Sequence, residues 1–378
     1  MKQRLSAPLI VDLNLTSKCN CKCLFCYANA SFSQSNTFHE MPFEMVMNIL
    51  GQLDDIGVNC VRLSGGEPFL HSRIGDILRG INDFSFSVCI NTNGTILNSS
   101  ILKLLQNAQI SSVAVSLDSS IESKHNFLRG NLNAFALTTN NIKILAGELS
   151  ENELSTTYTI TRHNACPKEI LETAELVASL GVSKMSLQIA AAVGRAKKNN
   201  DYVITPEQWD DIVIALTDYK KKSTAFPIRV NLMNECNCCW EYYFPLKKCN
   251  RLSDFTDIWH QDVSLTSETS RFISCVAGNY SIAITDQGQV FPCELMMAYP
   301  ELCAGDIYTN SFRNIWENSQ LLNKIHSIKM EELPHCCNTC ELINCGGGCR
   351  ATAYSMTKSL YSADLRCPKT HGENGNGE

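Results

Sequence analysis

Six short apolar runs, at residues 9–15, 60–64, 87–91, 112–117, 155–160 and 184–189, alternate with amphipathic stretches at 42–56, 74–81, 98–108, 134–149 and 167–180. That alternation constrains the fold more than any other feature. Parallel neighbours need long crossovers and helices supply them, so the repetition predicts an α/β protein on a parallel sheet. Pro42 and Pro167 stand near the first turn of their helices, a favoured position for a residue without an N–H. A further helix at 206–219 completes the helical wall. Parallel barrels place their chemistry on the loops that follow the strands, so those loops are where function is sought.

The loop after the first run, within Lys18–Tyr27, carries Cys19, Cys23 and Cys26 in a three-then-two spacing. Three thiolates are one short of the four that close a [4Fe–4S] cluster or a structural zinc site. An incomplete cluster leaves one iron open to a substrate or cofactor. The alternative is a zinc knuckle that recruits Cys21. Composition bears on this choice. The chain has 20 cysteines among 378 residues, no apolar core of a signal peptide at its start, and no apolar run approaching the ~20 residues of a membrane span. A cytoplasmic location follows as an expectation, and there thiols stay reduced, so metal ligation explains the cysteines better than disulfides. Cys60, Cys89 and Cys166, scattered in or beside apolar segments, read as inert core thiols. A net charge of −6 with both signs interspersed argues against nucleic acid as a partner.

The second run ends in Ser64-Gly65-Gly66-Glu67-Pro68, the third in Asn91-Thr92-Asn93-Gly94 and the fourth in Ser116-Leu117-Asp118, with Arg129-Gly130 soon after. Paired glycines admit close backbone approach, and amides, hydroxyls and a guanidinium at strand ends can hold a carboxylate and ribose hydroxyls. Taken singly, each segment is more often a cap or a turn. The cysteine spacing, with Phe25 just before the third cysteine and Gly-Gly-Glu-Pro one βα unit later, resembles the radical S-adenosylmethionine enzymes. The resemblance implies a partial (β/α)6 TIM-like barrel whose Cys19, Cys23 and Cys26 hold a [4Fe–4S] cluster. It implies further that S-adenosylmethionine chelates the open iron and is cleaved to a 5′-deoxyadenosyl radical. Gly65, Gly66, Glu67 and Pro68 would bind the methionine amino group, and Asn93, Ser116 and Arg129 would make further cofactor contacts. Phe25 and Ile189 would flank the adenine, near Gly194-Arg195-Ala196.

The C-terminal third is a different object, with short turns and a Gly-Gly-Gly run at 346–348. Twelve residues separate Cys275 from Gly288 and four more precede Cys293; Cys337, Cys340, Cys345, Cys349 and Cys367 follow. This series resembles the SPASM domain found behind many radical S-adenosylmethionine barrels. By that resemblance Cys275, Cys293 and Cys349 hold a first auxiliary [4Fe–4S] cluster, and Cys337, Cys340, Cys345 and Cys367 a second. A zinc ribbon is the competing reading. The gap between Cys340 and Cys345 is four residues where five is usual, and Cys336 beside Cys337 leaves the register open. No cysteine stands between Cys275 and Cys293, so the first auxiliary cluster either has an open iron or takes Cys236, Cys238, Cys239, Cys249 or Cys303. The expected organisation is a barrel at 1–221, a bridge at 222–265, a small cysteine-rich iron–sulfur domain at 266–370 and a disordered tail at 371–378. With few periodic apolar segments, the third part should depend on metal for its fold.

Enzymes of this architecture mostly modify ribosomally made peptides, so a peptide maturase is the expected function. Glu294, directly after Cys293, is the candidate base. Sulfatase-maturating relatives carry Asp there, and the extra methylene counts against that activity. A haem- or cofactor-maturing enzyme and a non-catalytic iron–sulfur electron carrier are compatible with the same cysteines. Expected partners are a peptide substrate, an electron donor of flavodoxin or ferredoxin type, and a separate leader-binding protein if the barrel surface does not itself grip a leader.

Overall fold

The computed structural model describes residues 5–32, 38–151, 153–198, 202–222, 229–232, 240–260, 272–342 and 345–370. The tail at 371–378 and Cys236, Cys238 and Cys239 lie outside the described residues. All six expected strands form: β1 Ile10–Asn14, β2 Cys60–Ser64, β3 Ser87–Thr92, β4 Ile110–Ser116, β5 Leu154–Ile160 and β6 Lys184–Ile189. They lie parallel and in chain order. The crossovers are helices α1 Phe43–Ile56, α2 Ile74–Gly80, α3 Ser99–Asn107, α4 Glu122–Arg129, α5 Ala134–Glu148 and α6 Pro167–Ser179, and α7 Pro206–Lys222 follows β6. Helix α4, in a stretch without clear apolar periodicity, adds a second helix to the β4–β5 crossover. Helix α3 starts where the Asn98 side chain accepts from the Ile101 N–H at 2.9 Å, a side-chain cap on an otherwise orphan donor.

Alternation along each strand divides the sheet into two faces. Val11, Leu13, Val61, Leu63, Val88, Ile90, Val113, Val115, Met185 and Leu187 are fully buried and belong to the core shared with the helices. Residues of the opposite parity, among them Arg62, Ser64, Asn91, Ser116, Thr157 and Gln188, line a cavity inside the curved sheet. An apolar outer face and a polar inner one are what a half-barrel around a polar cofactor requires.

The sheet is larger than the six strands read from sequence. β7 Arg229–Leu232 adds in parallel beside β6, and β8 Ser281–Ile284 adds in parallel beside β1, pairing Ile10 with Ser281 and Leu13 with Ile284. Antiparallel β9 Gln289–Phe291 and the short β10 Gly305–Asp306 continue that edge, giving ten strands among the described residues. The C-terminal third is thus hydrogen-bonded into the barrel sheet.

Nor is that third poor in apolar core. Two further helices, Phe312–Asn318 and Gln320–Ser327, bury Phe312, Trp316, Leu322 and Ile325 at 0–1% exposure. Phe312 N–H donates to Gln52 of α1 at 2.7 Å, and the Trp316 indole donates to the Leu5 carbonyl at 3.1 Å. The expectation of few apolar segments is therefore corrected for this part. Helices of 7 and 8 residues are too short to show apolar periodicity in sequence. Among the described residues no helix is long and apolar enough to cross a membrane.

Candidate functional site

The loop after β1 brings Cys19, Cys21, Cys23 and Cys26 to one cavity at the C-terminal ends of the strands. Neighbouring elements fix its path. Gly66 N–H donates to Thr16 O at 2.6 Å and Glu67 N–H to Lys18 O at 2.8 Å. A Cβ on Gly65 would stand 2.4 Å from Thr16 O, and one on Gly66 would stand 2.2 Å from Lys18 O. The paired glycines line the cavity, but what their missing side chains admit is the backbone of the cysteine loop itself. Arg195 closes the far side: its N–H donates to Cys26 O at 3.0 Å and its guanidinium to Cys23 O at 2.9 Å and to Ala30 O. The Gly194-Arg195-Ala196 segment, expected near an adenine, holds the loop.

Glu67 sits deeper than the motif suggests. It is wholly buried and absent from the cavity lining. Its carboxylate accepts from the Thr92 hydroxyl at 2.7 Å, Asn93 N–H at 2.8 Å and Phe69 N–H at 3.3 Å. Burial pushes its pKa up to about 7. These bonds anchor the end of β3, while Pro68, also buried, opens the turn Pro68–Leu70. Asn93, so anchored, lines the cavity, donates to Asn20 Oδ1 at 2.8 Å and lies 3.9 Å from Cys19 Sγ.

Arg129 and Phe25 meet beside Cys23. The guanidinium pairs with buried Asp118 at 2.6 Å, lies 3.7 Å from Cys23 Sγ and stacks 5.3 Å from the Phe25 ring centroid. A hydrogen bond with Cys21 foremost, and the Arg129 charge after it, hold the Cys23 thiol below its usual pKa against its burial. Asp118 is itself positioned by Thr159 N–H at 2.9 Å, and its own N–H donates to His125 Nδ1 at 3.1 Å. Burial lowers the His125 pKa to about 4, which keeps that ring a neutral acceptor. Ser116 lines the cavity; Ile189 does not. It faces a neighbouring cavity with Trp209 and Trp240, because alternation along β6 sends Gln188 inward and Ile189 away.

Glu294 opens the 3-10 turn Glu294–Ala298 and reaches the same cavity from the C-terminal third. There burial foremost, and the nearby Glu294 after it, hold the Tyr27 pKa well above the usual value. Arg62 lines the floor, clamped by Asp12 at 2.6 and 2.8 Å. Tyr27 is a site residue that no motif singles out, although it directly follows Cys26.

Cys275, Cys293 and Cys349 share one apolar cluster. Burial, and repulsion from Cys349 and Cys275, push the Cys293 thiol well up. Cys303 borders that cluster, its Sγ 3.2 Å from Gly305 O, whereas Cys249 is exposed. Cys337, Cys340, Cys345 and Cys367 line a second cavity with Cys336, Trp240 and Phe244. Burial pushes the Cys337 and Cys367 thiols up to about 12. Among the described residues no three His, Cys, Asp or Glu side chains are gathered for a single metal ion. All-sulfur donor sets in apolar walls suit iron–sulfur clusters, whose ligands stand on separate irons.

Residues 13–189 match the Radical SAM superfamily, and residues 275–341 match SPASM, an iron-sulfur cluster-binding domain. The AdoMet-dependent heme synthase of Methanosarcina barkeri is 26% identical over 362 residues, covering 96% of this chain and 97% of its own. The antilisterial bacteriocin subtilosin biosynthesis protein AlbA of Bacillus subtilis is 26% identical over 354 residues, covering 93% of this chain and 69% of its own. The crystal structure of Streptococcus suis SuiB bound to precursor peptide SuiA shares the fold with a TM-score of 0.72 at 18% identity, over 97% of this chain and 77% of that one.

Proposed function

This chain is a radical S-adenosylmethionine enzyme with a SPASM domain, and on that footing we propose that it removes hydrogen from an unactivated carbon of a ribosomally made peptide. Its cofactors are S-adenosylmethionine and [4Fe–4S] clusters. Cys19, Cys23 and Cys26 would hold one cluster, Cys275, Cys293 and Cys349 a second, and Cys337, Cys340, Cys345 and Cys367 a third. When bound, the first of these supplies the electron that cleaves S-adenosylmethionine to a 5′-deoxyadenosyl radical.

The residues around the cavity do the rest. Arg129, paired with Asp118 and fixed over Phe25, sets its guanidinium beside Cys23. Asn93 and Ser116 present polar groups where a cofactor's carboxylate or ribose would lie. Arg62 and Glu294 present a guanidinium and a carboxyl group to a bound substrate, and Tyr27 beside Glu294 gives a place for a proton to be held and passed. The observation that carries the reading is this convergence: a carboxylate from the SPASM side and the cysteine loop from the barrel face one cavity.

Replacing Cys19, Cys23 and Cys26 with Ala should abolish 5′-deoxyadenosine formation, while Glu294→Gln should retain it and lose the modified product. Undiminished 5′-deoxyadenosine from the triple variant would sink the proposal. A second reading, maturation of haem or a related cofactor, is favoured by the match to the heme synthase along nearly the whole of both chains. Mass spectrometry of reactions containing a genomically neighbouring short peptide, or a haem precursor, separates the two.

A further inference from the structure

Arg350 opens the helix Arg350–Thr357 and is fully buried. Its guanidinium donates to backbone carbonyls: Ser362 O at 2.6 Å, Leu360 O at 3.1 Å, Gly348 O at 3.4 Å and Gly347 O. Among the described residues no carboxylate pairs with it. Other inner arginines do have one: Arg129 holds Asp118 at 2.6 Å, Arg62 holds Asp12 at 2.6 Å and Arg366 holds Asp364 at 2.7 Å. Asp364 is taken by that pair and by Cys349 N–H at 3.0 Å. Carbonyl oxygens satisfy donors but carry no net charge, and a buried charge without a partner is costly. A guanidinium this deep marks a place where an anion belongs.

The cavity beside it says which anion. Gly347 and Gly348, whose carbonyls Arg350 holds, wall the cavity of Cys336, Cys337, Cys340, Cys345 and Cys367. A Cβ on Gly347 would stand 3.1 Å from Arg350 Nη2, so the guanidinium packs directly against a glycine of that wall. Trp240, 3% exposed, walls the same cavity, and its indole N–H has no acceptor among the described residues. Lys369 stands there too, 3.8 Å from Glu341. A four-iron cluster on thiolates is a net anion and becomes more negative on reduction. Such a group meets the charge that Arg350 leaves over. Arg195, whose guanidinium likewise bonds only carbonyls among the described residues, stands beside the other cysteine loop.

We propose that Arg350 is the countercharge of the cluster held by Cys337, Cys340, Cys345 and Cys367, and that it raises the reduction potential of that cluster. A fixed cation stabilises the reduced, more negative state more than the oxidised one, so the cluster takes up an electron more readily. One electron, from dithionite in the test below, enters the cluster; no bond is made or broken. This inference rests on the assignment of those four cysteines to a cluster.

The test is a dithionite redox titration followed by electron paramagnetic resonance. It uses reconstituted Cys19/Cys23/Cys26→Ala protein as parent, which leaves the auxiliary clusters alone in the spectrum. The signal that a further Cys340→Ala change removes belongs to the cluster in question. Arg350→Gln should lower its midpoint potential by about 59 mV or more, a tenfold change in a one-electron equilibrium. Arg350→Lys, which keeps the charge, should hold it near the parent value. Loss of that cluster in Arg350→Gln with retention in Arg350→Lys supports the countercharge equally. An unmoved potential in Arg350→Gln overturns the proposal. So does an equal shift, or an equal loss of cluster, in both variants, which would mean that the bonds to carbonyls matter and the charge does not. A shift confined to the other auxiliary signal would give the countercharge to Cys275, Cys293 and Cys349 and also overturn it. A parent protein with no signal that depends on Cys340 would instead refute the cluster assignment.

Discussion

The cysteine loop of the barrel is held from outside itself. Thr16 and Lys18 are gripped by the backbone of Gly66 and Glu67, Lys22 and Leu24 by the end of α4, and Cys23 and Cys26 by Arg195. The second cysteine cavity is built differently. The limb that carries Cys337 and Cys340 bonds locally, Cys337 N–H to Pro334 O and Cys340 N–H to Cys337 O. Its cavity walls are cysteines, aromatic rings and glycines, with Met330, Leu342, Asp364, Lys369 and Thr370. Buried Arg350, donating to Leu360 and Ser362 carbonyls, braces the opposite wall. The difference teaches that one site is preorganised by protein, and it gives the expectation, tested next, that the other is completed by what its thiols bind.

The sharpest way to break that comparison is to remove a ligand. Cys340→Ala, or anaerobic iron chelation, should cost the segment 335–370 on the order of 5 kcal/mol of local stability. Limited proteolysis should then cut within it and spare the barrel's described strands and helices and the helices Phe312–Asn318 and Gln320–Ser327. Equal protease resistance would show that packing suffices there. Next in size is the buried ion pair. Arg129→Met strands Asp118 in the interior, and urea unfolding should report a loss of about 3–5 kcal/mol. A loss below about 1 kcal/mol would mean that the pair is solvated and the loop less rigidly held.

Gly66→Ala comes third. The added methyl must displace the Lys18 carbonyl, so about 2–3 kcal/mol of stability should go, together with most S-adenosylmethionine cleavage. Retained cleavage would show that the loop's backbone yields more readily than its bonds suggest. The smallest effect concerns Glu67, whose pKa rises from an ordinary 4.5 to about 7 on burial. Such a carboxyl binds its proton more tightly in the folded state. Its contribution to stability is full below about 4.5 and is lost as pH rises to about 7. Glu67→Gln should therefore flatten the fall in stability across that window by about 1 kcal/mol per pH unit. An unchanged slope in denaturation midpoints would place the titration elsewhere, with Glu241, also pushed up to about 7 by burial, the next group to test.

Much of the barrel was legible because its signals are local. Val11 and Leu13, or Val61 and Leu63, give each strand an apolar face within five residues, and the intervening helices run to 15 residues. The cysteine spacings likewise point to thiols that the fold gathers around shared cavities. What stayed hidden depended on distant partners or on side-chain parity. Ser281–Ile284 is a four-residue strand whose partner lies far away, near the start of the chain. Glu67 sits in a cofactor motif, yet its carboxylate turns inward to Thr92 and Asn93. Ile189 and Gln188 are neighbours in sequence, but only the latter faces the cavity. Tyr27 gains its meaning from Glu294, a residue the sequence places far away.

The pairing of β1 with β8 has a consequence for synthesis. Until Ser281–Ile284 emerges from the ribosome, the strand that leads into the cysteine loop has one unpaired edge. At ~5–20 residues per second, that edge waits on the order of tens of seconds for its partner. An open strand edge is a template for wrong pairing, and closing this one joins segments far apart in the chain, a contact of the slow-forming kind. Nascent chains halted before β8 should therefore lean on chaperones, and delivery of iron and sulfide to the first loop begins on a sheet that is not yet closed on that side.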